Sequence, residues 1–108
     1  MDLNEYQQAA RRTAIYPDRY RVLYPALGLA SEAGEVAGKI KKVLRDQSGD
    51  FGRAPIEAIK DELGDVLWYV AMLAGDLGLS LEAIAAANLA KLTSREERGR
   101  LDGGGDRR

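Results

Sequence analysis

Two carboxylate pairs, Glu32 with Glu35 and Glu62 with Asp65, each stand three residues apart in stretches whose apolar residues recur at helical spacing. On a helix, positions i and i+3 share a face, so each pair presents two acids side by side. Like charges held that close are mildly destabilising. A hard divalent cation would make the arrangement favourable. If the two helices pack together, four carboxylates converge into an oxygen cage suited to Mg²⁺, with Mn²⁺ as a substitute.

A solvated acidic face is the ordinary alternative for either pair taken alone. The neighbouring residues argue against it. Gly34 and Gly38 flank Glu35, and Gly64 lies between Glu62 and Asp65. A glycine inside a helix costs about 1 kcal/mol relative to alanine. Three of them beside the acids imply close helix approach or room for a ligand. Asp65 also runs directly into Val66-Leu67-Trp68-Tyr69-Val70, which reads as core.

The periodicity is helical throughout, and no strand-like alternation interrupts it. Asp2 and Glu5 form a capping box that opens a first helix, expected to run to about Ala14. A loop follows with Tyr16, Tyr20 and Tyr24 among Arg19 and Arg21. Pro25 fits the first turn of a second helix, on which Leu29, Ala33, Val36, Ile40, Val43 and Leu44 mark the buried side. Pro55 starts a third helix, with Ile59, Leu63, Val66, Val70, Leu73 and Leu77 as its apolar stripe and Gly78 as its stop. Ser80 caps a fourth, with Leu81, Ile84, Ala85, Leu89 and Leu92 facing the core. The expected fold is all-α: a four-helix bundle spanning residues 1–98, with short connections favouring antiparallel neighbours. The Gly/Arg/Asp-rich stretch 99–108 reads as a disordered tail. Four helices in so short a chain leave apolar area open, which points to a homo-oligomer, a dimer first.

With 108 residues, the chain has room for one modest core. Its 16 basic and 17 acidic side chains nearly cancel, so nothing points to nucleic acid. No apolar run approaches the roughly 20 residues of a membrane span, and Met1 to Glu5 lacks the character of a secretory signal. Cysteine is absent, which makes the cytoplasm the expected location. Histidine is absent too. Together these absences exclude Cys nucleophiles, Ser-His triads, thiolate or imidazole zinc sites and Glu-x-x-His di-iron centres. Hydrolytic chemistry here has to rest on carboxylates, lysines, hydroxyls and a bound metal.

Three segments carry a family resemblance. Tyr24-Pro25-Ala26-Leu27-Gly28-Leu29-Ala30-Ser31-Glu32-Ala33-Gly34-Glu35-Val36 with Lys39-Ile40-Lys41-Lys42, then Asp61-Glu62-Leu63-Gly64-Asp65-Val66-Leu67-Trp68-Tyr69, then Ala87-Asn88-Leu89-Ala90-Lys91-Leu92 occur in that order. Over roughly residues 3–95 the chain resembles the MazG-type nucleoside triphosphate pyrophosphohydrolases, short single-domain branch. The resemblance implies an all-α homo-oligomer, a homodimer or tetramer. It also implies Mg²⁺-dependent cleavage of (d)NTPs between the α and β phosphates, releasing a monophosphate and pyrophosphate, in nucleotide-pool house-cleaning. The same fold hosts dimeric dUTPases and phosphoribosyl-ATP pyrophosphohydrolase, so fold alone leaves the substrate open. A non-catalytic module for oligomerisation or nucleotide sensing is the alternative from another class.

On this reading Glu32, Glu35, Glu62 and Asp65 are the metal ligands, with Glu32 or Glu35 alternatively serving as general base. Lys39, Asn88, Lys91 and Arg95 are candidates for phosphate or sugar contacts. Tyr69, four residues after Asp65, is the aromatic residue on the acid face, and Trp68 reads as packing. Tyr16, with Arg12 a turn before it, is a candidate for the base pocket. Two departures from the family pattern stand out. Ser31 replaces a common additional glutamate, and Glu96 rather than an aromatic residue follows Arg95.

Overall fold

A computed structural model describes residues 1–99. Four α-helices, α1 (Leu3–Arg11), α2 (Leu23–Asp46), α3 (Arg53–Asp76) and α4 (Leu81–Glu97), and a short 3₁₀ turn at Asp18–Tyr20 account for the regular structure. The described residues contain no strand. The expected tail falls mostly on residues 100–108, outside the described residues.

Local chemistry sets the helix ends. The Glu5 amide donates to Asp2 Oδ1 at 2.8 Å and the Asp2 amide to Glu5 Oε1 at 3.0 Å, completing the capping box. This helix stops at Arg11, three residues short of the expected end. There the Thr13 hydroxyl and amide both take the Ala10 carbonyl, at 2.7 and 2.9 Å, and tighten the last turn. At the end of α3, Gly78 adopts φ +75°. The Leu79 amide then reaches the Ala74 carbonyl at 2.8 Å and the Gly78 amide reaches Gly75 at 3.0 Å, a Schellman stop. Ser80 Oγ accepts from the Ala83 amide at 3.0 Å and starts α4.

The two 24-residue helices α2 and α3 lie side by side, joined by residues 47–52. Each is about 36 Å long. The core sits toward one end, where Ala10, Ala71, Met72 and Leu81 pack with Tyr6, Tyr16, Trp68 and Val70 around them. Burying a side chain such as Met72 contributes about 1.5–3 kcal/mol. Gln7 ties α1 to the α3–α4 connection: Nε2 donates to the Ala71 and Leu79 carbonyls at 3.0 and 3.2 Å, and Oε1 accepts from the Leu81 amide at 2.9 Å.

Two expectations need correction. First, α4 does not run back along α3; it leaves at 102°. The Schellman stop at Gly78 and the Gln7 bridge set that turn. Second, the apolar stripes are only partly covered within one chain. Val43 and Leu81 are buried, but Leu44, Leu63, Leu77 and Leu89 are 62, 53, 54 and 64 % exposed, and Ile40 and Ile84 are also open. Ala33 is exposed as well. The radius of gyration, 16.6 Å, exceeds the roughly 13 Å of a compact chain near this length. One thin helical pair and a diverging α4 cannot cover their own apolar faces. Among the described residues, no single helix is long and apolar enough to cross a membrane.

Candidate functional site

Glu32 on α2 and Glu62 and Asp65 on α3 converge across the helix pair, with one carboxylate oxygen from each lying within 4.8 Å of the others. The i,i+3 spacing of Glu62 and Asp65 and the lateral packing of α2 against α3 bring them together. Glu32 and Glu62 are half-buried, while Asp65 is exposed. A hydrogen bond with the Glu62 carboxyl, then desolvation and the charges of Asp65, Glu62 and Glu35, raise the Glu32 pKa above the ordinary carboxylate value. Crowded carboxylates of this kind favour either a shared proton or a cation. The Lys39 ammonium stands 4.0 Å from Glu62 Oε1 and offsets part of the charge.

Glu35 lies one turn beyond Glu32, exposed and outside that triad, although its charge still acts on Glu32. The glycines behave differently from one another. A β-carbon at Gly34, Gly38 or Gly64 would meet nothing within 4 Å, so none of the three serves close helix approach within one chain. They leave space beside the acids instead. The close approach occurs at Gly28, where the Tyr69 ring fills the position a side chain would take.

An aromatic group borders the triad. Tyr24 tilts against Tyr69 at 6.3 Å between centroids, Tyr16 stacks on Tyr24 at 5.0 Å, and Trp68 meets Tyr69 edge-on at 5.0 Å. Burial, then a hydrogen bond with Tyr24, then the charges of Glu32 and Asp65 raise the Tyr69 pKa. Tyr69 therefore stands on the acid side, as its spacing from Asp65 implies. The Trp68 indole N–H donates to Thr13 Oγ1 at 2.8 Å, and its ring packs against the core. A cavity of about 370 Å³ opens here, lined by Thr13, Ile15, Tyr16, Tyr20, Tyr24 and Trp68.

The α4 candidates stand apart from this group. Asn88 and Lys91 are exposed, and no hydrogen bond or ion pair links either to the triad among the described residues. Lys91 lines a separate cavity of about 370 Å³ with Ala87, Ala90, Ser94 and Arg98. Arg95 is 3 % exposed on a helix that continues to Glu97, so it does not project from a frayed end.

Two residues beside Tyr16 escaped sequence reasoning. The expected partner of Tyr16 was Arg12, but Arg11 fills that position: its Nη1 donates to Tyr16 Oη at 2.9 Å and its guanidinium lies 5.6 Å from the ring centroid. Asp76, the last residue of α3, binds both. The only sequence signal was an acid at a helix C-terminus, where the helix dipole disfavours it.

The architecture defines a class: an all-helical chain whose two central helices carry a convergent carboxylate triad. It belongs to the MazG family, since the MazG nucleotide pyrophosphohydrolase domain matches residues 24–99, more than two thirds of its length. The Gene 37 protein of Mycobacterium phage L5 is 46 % identical over 114 residues, covering the whole of both chains. No solved structure matches.

Proposed function

We propose that this protein hydrolyses nucleoside triphosphates, (d)NTPs, between the α and β phosphates. Water is added across the bridging phosphoanhydride, yielding a (d)NMP and pyrophosphate. The observation that carries the reading is the convergence of Glu32, Glu62 and Asp65 on one side of the α2–α3 pair, in a chain of the nucleotide pyrophosphohydrolase family.

The donor set fits a hard divalent cation. It is all carboxylate oxygen, the oxygens are already close, and one carboxyl is pushed toward its protonated form by its neighbours. Glu32, Glu62 and Asp65 would hold Mg²⁺ or Mn²⁺. When bound, the ion supplies charge neutralisation at the phosphoryl oxygens. In this proposal Glu35, exposed one turn away, joins the ligand shell or accepts the proton of the attacking water. Lys39 offers a cation toward the phosphates. Tyr69 marks the boundary between the acids and the aromatic cavity, so phosphates belong on the triad side and the base on the aromatic side.

Asn88 and Lys91 contact substrate in this proposal only across an oligomer, whereas Arg95, 3 % exposed, is enclosed within its own chain and is left out of it. The open apolar faces of α2 and α3 support a homodimer, in which a neighbouring α4 would complete each site. Nucleotide-pool house-cleaning in the cytoplasm is the corresponding role.

Product analysis tests the reading. The purified protein is incubated with a panel of NTPs and dNTPs and Mg²⁺, with an EDTA control. Monophosphate and pyrophosphate formation abolished by EDTA is the expected result, and the preferred base names the role. Intact nucleotides across the panel with both Mg²⁺ and Mn²⁺ would overturn it. Activity confined to dUTP or phosphoribosyl-ATP would assign the related specific enzyme.

A further inference from the structure

Asp76 is an unusual carboxylate. Its side chain is fully shielded from solvent at the C-terminal end of α3, where the helix dipole opposes negative charge. Three donors, all from residues 11–22, hold it. Arg11 Nη1 reaches Oδ1 at 2.9 Å, and the Tyr16 hydroxyl and Val22 amide reach Oδ2 at 2.8 and 2.9 Å. Arg21 Nε stands 3.8 Å from Oδ1.

The segment so held is strained. Val22 sits at φ 67° and ψ −54°, and the Leu23 amide donates to the Arg21 carbonyl at 2.7 Å. That is a γ-turn of positive φ, rare for any residue and costly for a β-branched one. Such strain persists only where surrounding contacts over-determine it. Here the Val22 amide bond to Asp76 is that contact. Val22 also precedes α2, so its geometry sets how the helix begins and where Tyr24 stands.

The consequences reach the aromatic cavity. Tyr16, fixed at its hydroxyl by Asp76 and Arg11, stacks on Tyr24, which leans on Tyr69 beside Glu32 and Asp65. Burial, and then the bond to Asp76, raise the Tyr16 pKa, so the phenol remains a donor at neutral pH. Asp76 is eleven residues from Asp65, about 16 Å along the helix. It is therefore remote from the acid triad along α3, while it holds Tyr16 and through it the stack on Tyr24.

We propose that Asp76 is a positioning residue: by gathering Arg11, Tyr16 and Val22 it fixes residues 12–22 on α3 and keeps the Tyr16–Tyr24 wall of the 370 Å³ cavity in place for the nucleotide base. The inference rests on the nucleotide-hydrolase reading and adds a residue that acts on base recognition rather than on phosphate chemistry.

The test compares the full-length wild type with Asp76→Asn and Tyr16→Phe. Mn²⁺ affinity is measured with the metal alone, and nucleotide affinity from Trp68 fluorescence with α,β-imido dNTPs of four bases plus Mn²⁺. Steady-state kinetics and circular dichroism complete the set. Asp76→Asn should keep its helical spectrum and bind Mn²⁺ within about twofold of wild type. Its nucleotide affinity should fall at least tenfold with flattened base preference, and KM should rise about tenfold while kcat stays within threefold. Tyr16→Phe should shift the same quantities the same way, by about threefold. Unchanged nucleotide affinity and base preference in a folded Asp76→Asn protein would overturn the proposal, as would a parallel loss of Mn²⁺ affinity or a fall in kcat alone. If Asp76→Asn fails to fold, Tyr16→Phe decides by the same criteria. A wild type that neither binds nor cleaves any nucleotide would overturn the hydrolase reading and this inference together, whereas nucleotide turnover unaffected by both variants would overturn this inference alone.

Discussion

The Tyr69 ring occupies the space that a β-carbon on Gly28 would need. Gly28 is thus the point where α2 yields to an aromatic side chain from α3, next to the acids. Gly28→Ala would gain about 1 kcal/mol of helix propensity but must displace the ring. Overpacking typically costs about 1–3 kcal/mol, so the net effect should be destabilising or near neutral. The larger effect should fall on function, because a displaced Tyr69 moves against Tyr24 and Trp68. The expected outcome is a melting temperature lowered by a few degrees and kcat/KM lowered at least tenfold. Thermal melts and kinetics on the same preparation check it; a variant with wild-type kinetics would show that the ring's position is irrelevant to substrate.

The acid triad makes a prediction of opposite sign for stability and activity. Glu62 faces Glu32, and without a cation their proximity is unfavourable. Glu62→Gln removes one charge and keeps the shape. In EDTA the variant should melt at or slightly above the wild-type temperature. Added Mg²⁺ should stabilise wild type through preferential binding to the folded state and do little for the variant. Turnover should fall at least 100-fold. Melting curves with and without Mg²⁺ separate this from simple loss of folding, in which the variant would melt lower under both conditions.

The helices were legible because their signals are local. Asp2 and Glu5 bond to each other, Ser80 bonds three residues ahead, and Gly78 needs its positive φ at the residue where it stands. The acids were legible for the same reason, through i,i+3 spacing. Spacing alone could not say that Glu35 would stand outside the triad, because that depends on how α2 is rotated against α3. Asp76 was invisible since its partners lie 54 to 65 residues away in sequence. Apolar periodicity put Leu44, Leu63 and Leu89 on stripes expected to be buried, yet all three are more than half exposed, because a stripe does not reveal whether its cover comes from the same chain.

Asp76 also predicts how stability responds to acid. Burial alone would raise its pKa, but the Val22 amide, the Tyr16 hydroxyl and the Arg11 guanidinium together outweigh it and hold the value below the ordinary one. Arg21, at 3.8 Å, is the further charge facing it. A depressed native pKa means the unfolded chain binds the proton more readily. The stabilisation is therefore complete above the unfolded value, about 3.9, and is lost as pH falls through the native value below it. Wild type should lose stability over that acid range more steeply than Asp76→Asn, which has no proton to take up there. Urea unfolding at neutral pH and at several points below pH 4 measures the slopes. Parallel curves for the two proteins would mean that Asp76 is not ionised and clamped as its donors indicate.

Ile40, Phe51, Ile56, Ile59 and Leu63 line an apolar groove of about 430 Å³ along the α2–α3 pair, and Ile56 and Leu63 are half exposed within it. Leaving several large aliphatic side chains in water sacrifices about 25 cal/mol for each Å² that a partner would cover. A second copy of the chain is the proposed cover. Ile56→Glu places a charge in that groove without touching the triad. Sedimentation velocity should show wild type as a dimer or larger at micromolar concentration and the variant dissociating at least tenfold more readily, with its helical spectrum retained. If a neighbouring α4 completes each site, activity should fall with dissociation and recover at high protein concentration. It should also reappear when Glu62→Gln and Lys91→Ala subunits are mixed, since one site of the heterodimer would then carry both intact halves. A monomeric wild type with full activity would remove the subunit-shared site and leave Asn88 and Lys91 as plain surface residues.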